Sequence, residues 1–243
     1  MLGDLIRTLI SRLLLLVLMI LFAIPVIILL LLPEYWRYDS WFARWCKYLF
    51  YKGIVYGSFL PIRIVGKEHI AQEPTIIVAN HQSSLDIPLV GSLVGTFPHV
   101  WLATNELMVS PILRWILPRV TVLVDMSNPM EGMRSLVRAI GMINNQKRHV
   151  ILFPEGGRHA DGAVHDFYGG FVTLAKKTGR PVVPILIQGV YKAYPKGAFL
   201  VRYCPINVIV GKPLVMYADE STQEFKDRLH QWFVTTNKEL HAS

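Results

Sequence analysis

The sequence predicts an α/β domain with a mixed, largely parallel sheet flanked by helices, preceded by a two-helix segment that anchors it to a membrane. From Pro61 onward, short runs of β-branched and aliphatic residues alternate with stretches of helical periodicity. A long apolar run lies near the N-terminus. We therefore divide the chain into a membrane-associated helical segment, residues 1–60, and an α/β domain, residues 61–243.

The composition favours a protein that works at a lipid surface. Of 243 residues, 52% are hydrophobic, and 25 basic against 17 acidic residues give a formal charge of +8. Such a chain favours anionic lipid head groups or acidic carriers as partners, and it carries no nucleic-acid-binding motif. Cys46 and Cys204 lie far apart without a C-x-x-C pair, which excludes a disulfide framework.

The N-terminal segment has two parts. The run from Leu13 to Leu32 is apolar throughout, and as a helix it is long enough to cross a hydrocarbon core of about 30 Å. It is too long for a signal peptide and is followed by a poor cleavage site. Residues 35–59 interleave Trp and Tyr with Arg and Lys, which predicts an interfacial helix. Pro25 predicts a kink, so a full span and a helix that enters one leaflet both fit.

The elements of the α/β domain follow from periodicity. Alternating or continuous apolar runs predict strands, and apolar residues three and four apart predict helices. Predicted strands cover residues 62–66, 75–79, 120–125, 150–153, 182–187 and 206–210, and predicted helices cover 130–145, 171–178 and 220–240.

A polar motif, residues 80–86, follows the strand at 75–79. Two residues five apart on a helix point roughly 140° away from each other, so His81 and Asp86 can meet only if the chain bends between them. Ser83 or Ser84 offers such a bend as an N-cap. If the two side chains meet, the imidazole can act as a general base on a hydroxyl without a serine or cysteine nucleophile. The alternative is a capping box formed by Ser83 and Asp86, with a structural histidine.

A second motif, Phe153–Arg158, follows the strand at 150–153. Gly156 and Gly157 allow close backbone approach and expose N–H groups to an anion. Arg158 can grip a phosphate or carboxylate, and Glu155 can hold the guanidinium in place. The alternative is a tight turn with a surface ion pair.

Four polar residues, His159, Asp161, His165 and Asp166, come just after this motif. They could suggest a metal site, but two closely set ligands on a helix face are absent, which is more typical of a solvated loop. We expect no metal here.

Taken together, the motifs resemble those of the glycerolipid acyltransferases of the 1-acyl-glycerol-3-phosphate acyltransferase type. His81 through Asp86 match the family's histidine and aspartate separated by four residues. Phe153–Arg158 match its Phe-Pro-Glu-Gly-Thr-Arg block, except that Gly157 replaces threonine. Val183-Pro184-Ile185 and the stretch from Phe167 to Ala175 match two further blocks, so the resemblance runs from about Ile62 to Leu214.

The resemblance implies acyl transfer from an acyl thioester, acyl-ACP or acyl-CoA, to the hydroxyl of a lysolipid, most directly 1-acyl-glycerol-3-phosphate to give phosphatidic acid. His81 would be the base, Asp86 would orient it, and no acyl-enzyme would form. It also implies an inner-membrane protein whose catalytic domain faces the cytoplasm, with no cofactor beyond the thioester. The implied residues for the acceptor's phosphate are Glu155, Gly156, Gly157 and Arg158, with Asn80, Pro154 and Pro184 in support.

Three departures leave the acceptor open. Where the family carries basic residues, this chain has Met126 and Tyr168, and the lysine often found before a Glu-Leu pair is absent at Thr104-Asn105-Glu106-Leu107. Another lysophospholipid or an amino-acid lysolipid therefore stays an alternative acceptor. Hydrolysis of a lipid ester or thioester is the alternative reaction, and a non-enzymatic lipid-binding protein is the alternative class.

Overall fold

Strands form one sheet in the computed structural model, which describes residues 2–125 and 127–242. They are β1 (Ile62–Val65), β2 (Ile76–Ala79), β3 (His99–Thr104), β4 (Thr121–Val124), β5 (His149–Leu152), β6 (Val182–Gln188) and β7 (Ile206–Val210). Their order across the sheet is β1-β7-β6-β2-β5-β3-β4. Among the described strands only β6 and β7 pair antiparallel, which confirms the mixed, largely parallel sheet.

Helices cover both faces of the sheet. They are α1 (Leu2–Leu31), α2 (Glu34–Tyr38), α3 (Trp41–Gly57), α4 (Asp86–Val94), α5 (Pro111–Val120), α6 (Pro129–Asn144), α7 (Gly170–Thr178), α8 (Val190–Ala193) and α9 (Thr222–Ala242). Local chemistry marks several ends: the Ser110 hydroxyl and the Asn128 amide oxygen accept from main-chain N–H groups in the first turns of α5 and α6. A left-handed Gly179 ends α7.

The core lies on both sides of β2. Ile77 and Ala79 face the cluster that includes α4, whereas Ile76 and Val78 face the cluster that includes α6, α7 and α9. A strand buried on both faces requires the continuous apolar run that its sequence shows.

The chain reverses direction across the sheet between β2 and β5, which are neighbours. After β2 the chain passes through α4 on one face and reaches β3, on the far side of β5. After β5 it passes through α7 on the opposite face and reaches β6, on the far side of β2. Two neighbouring strands whose connections leave in opposite directions open a crevice at their carboxyl ends, where ligands bind in α/β sheets.

The N-terminal segment differs in detail from the prediction. The predicted apolar helix at 13–32 is part of a longer helix that begins at Leu2, and it is long and apolar enough to cross a membrane. The predicted helix at 35–59 divides between α2 and α3, because Ser40 caps α3. Contacts pair Leu14 with Gly57 and Phe22 with Phe50, so α3 runs antiparallel to α1.

Both ends of this segment contact the α/β domain. Near the start of α1, the buried Thr8 hydroxyl accepts a hydrogen bond from the main-chain N–H of Val201 at 2.9 Å. At the other end, the buried Arg148 donates to Asp39 through two nitrogens, at 2.9 and 2.7 Å, and to Glu34 at 2.8 Å. The segment therefore lies along the domain and does not project from it.

Candidate active site

Asp86, the first residue of α4, gathers three donors on one oxygen. Its side chain is fully buried, and Oδ2 accepts from the main-chain N–H groups of Gln82 and Ser83 at 2.6 and 2.7 Å. The third donor is His81 Nδ1, at 2.8 Å. One carboxylate thus makes both the capping-type bonds and the histidine pair that the sequence presented as alternatives.

The sequence predicted that a serine N-cap causes the bend between His81 and Asp86, and the structure shows a different cause. Leu85 occupies the N-cap position, with no side-chain cap. The turn is instead held by the Asp86 carboxylate and by the Ser83 hydroxyl, which donates to the Tyr194 carbonyl at 2.5 Å. The serine therefore ties the loop to the chain after β6.

The His81 ring presents one nitrogen to the crevice. Its side chain is 14% exposed. Because Nδ1 faces a carboxylate and acts as the donor, a neutral ring keeps its lone pair on Nε2. The ring stacks on Phe153, with centroids 3.9 Å apart and planes at 8°, and Phe153 stacks in turn on Trp101. The residue that begins the second motif thus supports the imidazole of the first.

The second motif forms a tight turn at the end of β5. The Pro154 carbonyl accepts from the Tyr168 N–H at 2.8 Å, and Gly156 has a φ of +70°. A Cβ at Gly156 would approach the Tyr168 ring to 2.6 Å, so both the conformation and the space require glycine. A Cβ at Gly157 would make only an ordinary contact, 4.0 Å from His159 Nε2.

Two hydrogen bonds join the two motifs. The Arg158 guanidinium donates to the Ser84 hydroxyl at 2.7 Å. The main-chain N–H of His159 donates to the His81 carbonyl at 2.9 Å. The structure thus brings together the residues predicted from two segments about 75 positions apart. Sequence reasoning missed Ser84 as a partner, because a serine carries no signal of which distant side chain it binds.

Glu155 does not hold the Arg158 guanidinium, and that expectation was wrong. Its side chain is buried, and neither carboxyl oxygen has a hydrogen-bond partner of ordinary geometry among the described residues. Burial raises the pKa of Glu155 to about 8; the main-chain amide of His81 opposes this, and the carboxylates of Asp86 and Asp161 reinforce it. The group is therefore mostly protonated and neutral at pH 7.

Asn80 and Pro184 support the strand ends. The buried Asn80 side chain donates to the Ile187 carbonyl at 2.9 Å and accepts from the Ile187 N–H at 2.7 Å, so it fastens the end of β2 to β6. Pro184 lies between the Val182–Leu214 bridge and the first regular pair of β6 with β7. The ladder is irregular there, so the missing N–H of proline is tolerated.

An apolar cavity of about 310 Å³ lies beside the His81 loop. It is enclosed by α1, α3, the start of α4 and the chain near Tyr194, and Ser84 lines it together with Arg12. Its apolar lining includes Leu15, Leu18, Phe50, Ile54, Leu85 and Ile87. The volume is within the range of small-molecule pockets.

The remaining predicted positions are placed as follows. Thr104 ends β3, Tyr168 is exposed over Gly156, and Met126 lies outside the described residues. In the described part of the chain, no three histidine, cysteine or acidic side chains are grouped to hold a metal ion. His165 instead pairs with Asp161.

Comparisons with known proteins agree with this geometry. A family model described as Acyltransferase matches residues 61–188. A 1-acyl-sn-glycerol-3-phosphate acyltransferase of Limnanthes douglasii is 35% identical over 163 residues, which cover 66% of this chain and 56% of the plant protein. The chain thus spans little more than half the length of that relative.

Two bacterial proteins match over more of their length. The enzyme of the same name from Pseudomonas aeruginosa is 26% identical over 216 residues, which cover 86% of this chain and 81% of the other. The crystal structure of the 1-acyl-sn-glycerophosphate (LPA) acyltransferase PlsC from Thermotoga maritima superposes with a TM-score of 0.79. It is 27% identical, and the match covers 100% of this chain and 98% of that one.

Proposed function

This chain belongs to the acyltransferase family, and on that premise we propose that it transfers a fatty acyl group from an acyl thioester to the hydroxyl of 1-acyl-glycerol-3-phosphate. The product would be phosphatidic acid. The observation that carries the proposal is the His81–Asp86 pair, bonded through the His81 carbonyl to the turn that presents Arg158. The names of the similar proteins support this acceptor.

His81 would act as the general base and then as the general acid. Nε2 takes the proton of the glycerol hydroxyl as its oxygen attacks the thioester carbonyl. The tetrahedral intermediate collapses, the C–S bond breaks, and the imidazolium returns its proton to the departing thiolate. Asp86 keeps the ring oriented and stabilises the imidazolium. These reaction steps need no acyl-enzyme and no cofactor beyond the thioester.

The acceptor's phosphate would bind at the second motif. Arg158 supplies a cationic donor, and the turn at Gly156 and Gly157 allows an anion close to the backbone. Glu155, being mostly neutral at pH 7, would not repel the phosphate. The acyl chain of the donor or acceptor would occupy the apolar cavity beside Ser84. The donor's carrier, acyl carrier protein or coenzyme A, is acidic in either case and suits the charge of +8.

Residues 1–60 would hold the catalytic domain, residues 61–243, on the cytoplasmic face of the inner membrane. Leu13, Ile20, Leu21 and Ile24 are each more than 60% exposed on α1, which supports contact with lipid. Because both ends of the segment contact the α/β domain, we favour insertion into one leaflet over a full span. Such a position would deliver a lysolipid from the bilayer to the crevice.

The test is an acyl-transfer assay on the full chain in mixed micelles. Labelled acyl-ACP or acyl-CoA is offered with 1-acyl-glycerol-3-phosphate, lysophosphatidylcholine, lysophosphatidylethanolamine, an amino-acid lysolipid, or no acceptor. We expect labelled phosphatidic acid, and no release of fatty acid when the acceptor is omitted. Fatty acid released without an acceptor would identify a hydrolase, and another labelled lipid would identify another acceptor.

Substitution of the proposed base distinguishes an enzyme from a non-enzymatic lipid-binding protein. His81→Ala should lower kcat by roughly 10²–10⁴ while the protein stays with the membrane fraction. His69→Ala is the matched control, because His69 bonds to the Val210 carbonyl near the end of β7, away from the crevice. Full transfer by the His81 variant would remove His81 as the base.

A further inference from the structure

Two stacked imidazoles lie next to the turn that carries Arg158. The ring centroids of His159 and His165 are 3.7 Å apart, and the ring planes differ by 17°. His165 Nε2 lies 2.8 Å from Asp161 Oδ2. The N–H of His159 is the group that bonds to the His81 carbonyl, so the pair is tied to the loop of the proposed base.

The loop that carries the pair, residues 159–166, is held from outside by α9. His230 Nε2 donates to the His165 carbonyl at 3.1 Å, and the Asn237 side chain donates to the Gly162 carbonyl at 3.1 Å. Gly162 has a φ of +77°, and a Cβ there would meet the Tyr191 ring at 2.5 Å. These contacts fix the loop against the domain, so the two rings are positioned in advance of any ligand.

The surroundings of His159 lower its pKa on balance. Partial burial and the neighbouring His165 ring lower the pKa of His159; Asp161 opposes this, His81 lowers it further, and the Glu155 carbonyl opposes it. Two protonated rings in contact would repel each other, which is one reason why the pKa of His159 is lowered. An anion beside the rings would favour the protonated form.

We propose that His159 is a second binding residue for the acceptor's phosphate, next to Arg158, and that it favours a phosphomonoester over a phosphodiester. The inference rests on the proposed function and specifies the substrate class of the same site. A phosphomonoester gains its second negative charge near pH 6, whereas a phosphodiester keeps one. An imidazole gains its proton most readily beside a dianion, and the protonated ring then donates a charge-assisted hydrogen bond.

The first test is a comparison of Michaelis constants at pH 7. His159→Ala should raise the KM for 1-acyl-glycerol-3-phosphate about tenfold, a change of about 1.4 kcal/mol. The donor's KM and kcat should stay within about twofold, because the main-chain bond to His81 is kept. His159→Arg should restore the acceptor's KM, since it restores the cation. For lysophosphatidylglycerol, a phosphodiester used as an inhibitor, the inhibition constant should change less than about twofold in His159→Ala.

A matched pair of loop variants tests the support of the second ring. Asp161→Asn and Asp166→Asn remove the same charge from the same exposed loop, but only Asp161 binds His165. We expect Asp161→Asn to raise the acceptor's KM about threefold and Asp166→Asn to leave it unchanged. Equal effects of the two would mean that only the general charge of the loop matters, which contradicts the proposal.

The outcomes distinguish this inference from the proposed function. An unchanged acceptor KM in His159→Ala, an equal change for both phosphate classes, or a loss of kcat alone would each overturn the inference while transfer itself stands. If the wild type transfers nothing to 1-acyl-glycerol-3-phosphate, the proposed function fails. The inference is then judged by NMR of labelled histidine side chains: glycerol 3-phosphate should shift the His159 resonances toward the protonated form, and the absence of that shift would overturn it.

Discussion

Replacing Glu155 with glutamine should remove the contribution of this carboxyl group, which lowers the stability of the native chain as the pH rises from 6.5 to 8. In the folded chain, burial raises the pKa of this carboxyl group to about 8, against an ordinary value of 4.5. In the unfolded chain the carboxyl is ionised throughout this window. The folded state therefore binds one more proton, and raising the pH favours unfolding.

The magnitude follows from the proton difference. Well between the two pKa values each pH unit lowers the free energy of unfolding by about 1.4 kcal/mol, and at pH 8 the folded carboxyl is already about half ionised. The loss due to Glu155 from pH 6.5 to 8 is therefore about 1.6 kcal/mol. Two buried histidines and Lys47, whose pKa burial lowers to about 8, act in the opposite direction in this window. Burial lowers the pKa of His149 to about 4 and that of His99 well below 6.5. At pH 6.5 a histidine of the unfolded chain is still about half protonated, so each buried histidine adds about 0.4 kcal/mol of stability between pH 6.5 and 8. These contributions are the same in the wild type and in Glu155→Gln, so they cancel when the two are compared.

The assay is equilibrium urea unfolding of the detergent-solubilised protein at pH 6.5 and 8, followed by tryptophan fluorescence. Between the two pH values, we expect the free energy of unfolding of the wild type to fall by about 1.6 kcal/mol relative to that of Glu155→Gln. Glu68→Gln, at an exposed position in the turn after β1, is the control and should behave like the wild type. If Glu155→Gln keeps the wild-type dependence on pH, the carboxyl is not held neutral and the account of its burial is wrong.

Three further predictions concern the pair, the turn and the N-terminal junction. Asp86→Asn should lower kcat by roughly 10³–10⁴ with little change in KM, because the His81 ring loses the carboxylate that orients it. Steady-state kinetics would measure both constants, and a change in KM alone would contradict this role of Asp86. Gly156→Ala should lower the free energy of unfolding by about 1 kcal/mol because Gly156 has a positive φ, whereas Gly157→Ala should not. Urea titration measures the free energy of unfolding of both variants, and equal losses in the two would refute the reasoning. Arg148→Met should cost about 3 kcal/mol, because the nearly buried guanidinium neutralises two carboxylates near α2; a loss below about 1 kcal/mol would mean that this junction contributes little.

Most strands could be predicted because their signal is local. The run at 75–79 is continuous and apolar, and β2 occupies Ile76–Ala79. The predicted strand at 150–153 differs from β5 by one residue at each end. A strand in the middle of a parallel sheet is buried on both faces and therefore needs a continuous apolar run. Such a run can be recognised in the sequence without knowing which strands lie beside it.

The strand β3 and the helix α5 were not predicted from the sequence. The stretch around β3 is apolar on both sides of Gly95, so no change of periodicity marks where α4 ends and the strand begins. Pro111 and Pro118 weaken the helical signal of α5, although Pro111 lies in the first turn, where proline is tolerated. The strand β3 is defined by its pairing with β4 and β5, which no local signal shows.

The sequence by itself determined the residue types of the crevice and allowed His81 to pair with Asp86, because five residues that bend once keep the two side chains within reach. Only the tertiary structure decided that Arg158 binds Ser84 and that α9 holds the loop of His159 and His165. It also decided that the Glu155 carboxyl is buried with no hydrogen-bond partner of ordinary geometry in the described part of the chain. Those features depend on which strands are neighbours and on which atoms lose contact with water. Neither property is contained in the order of residues along one segment.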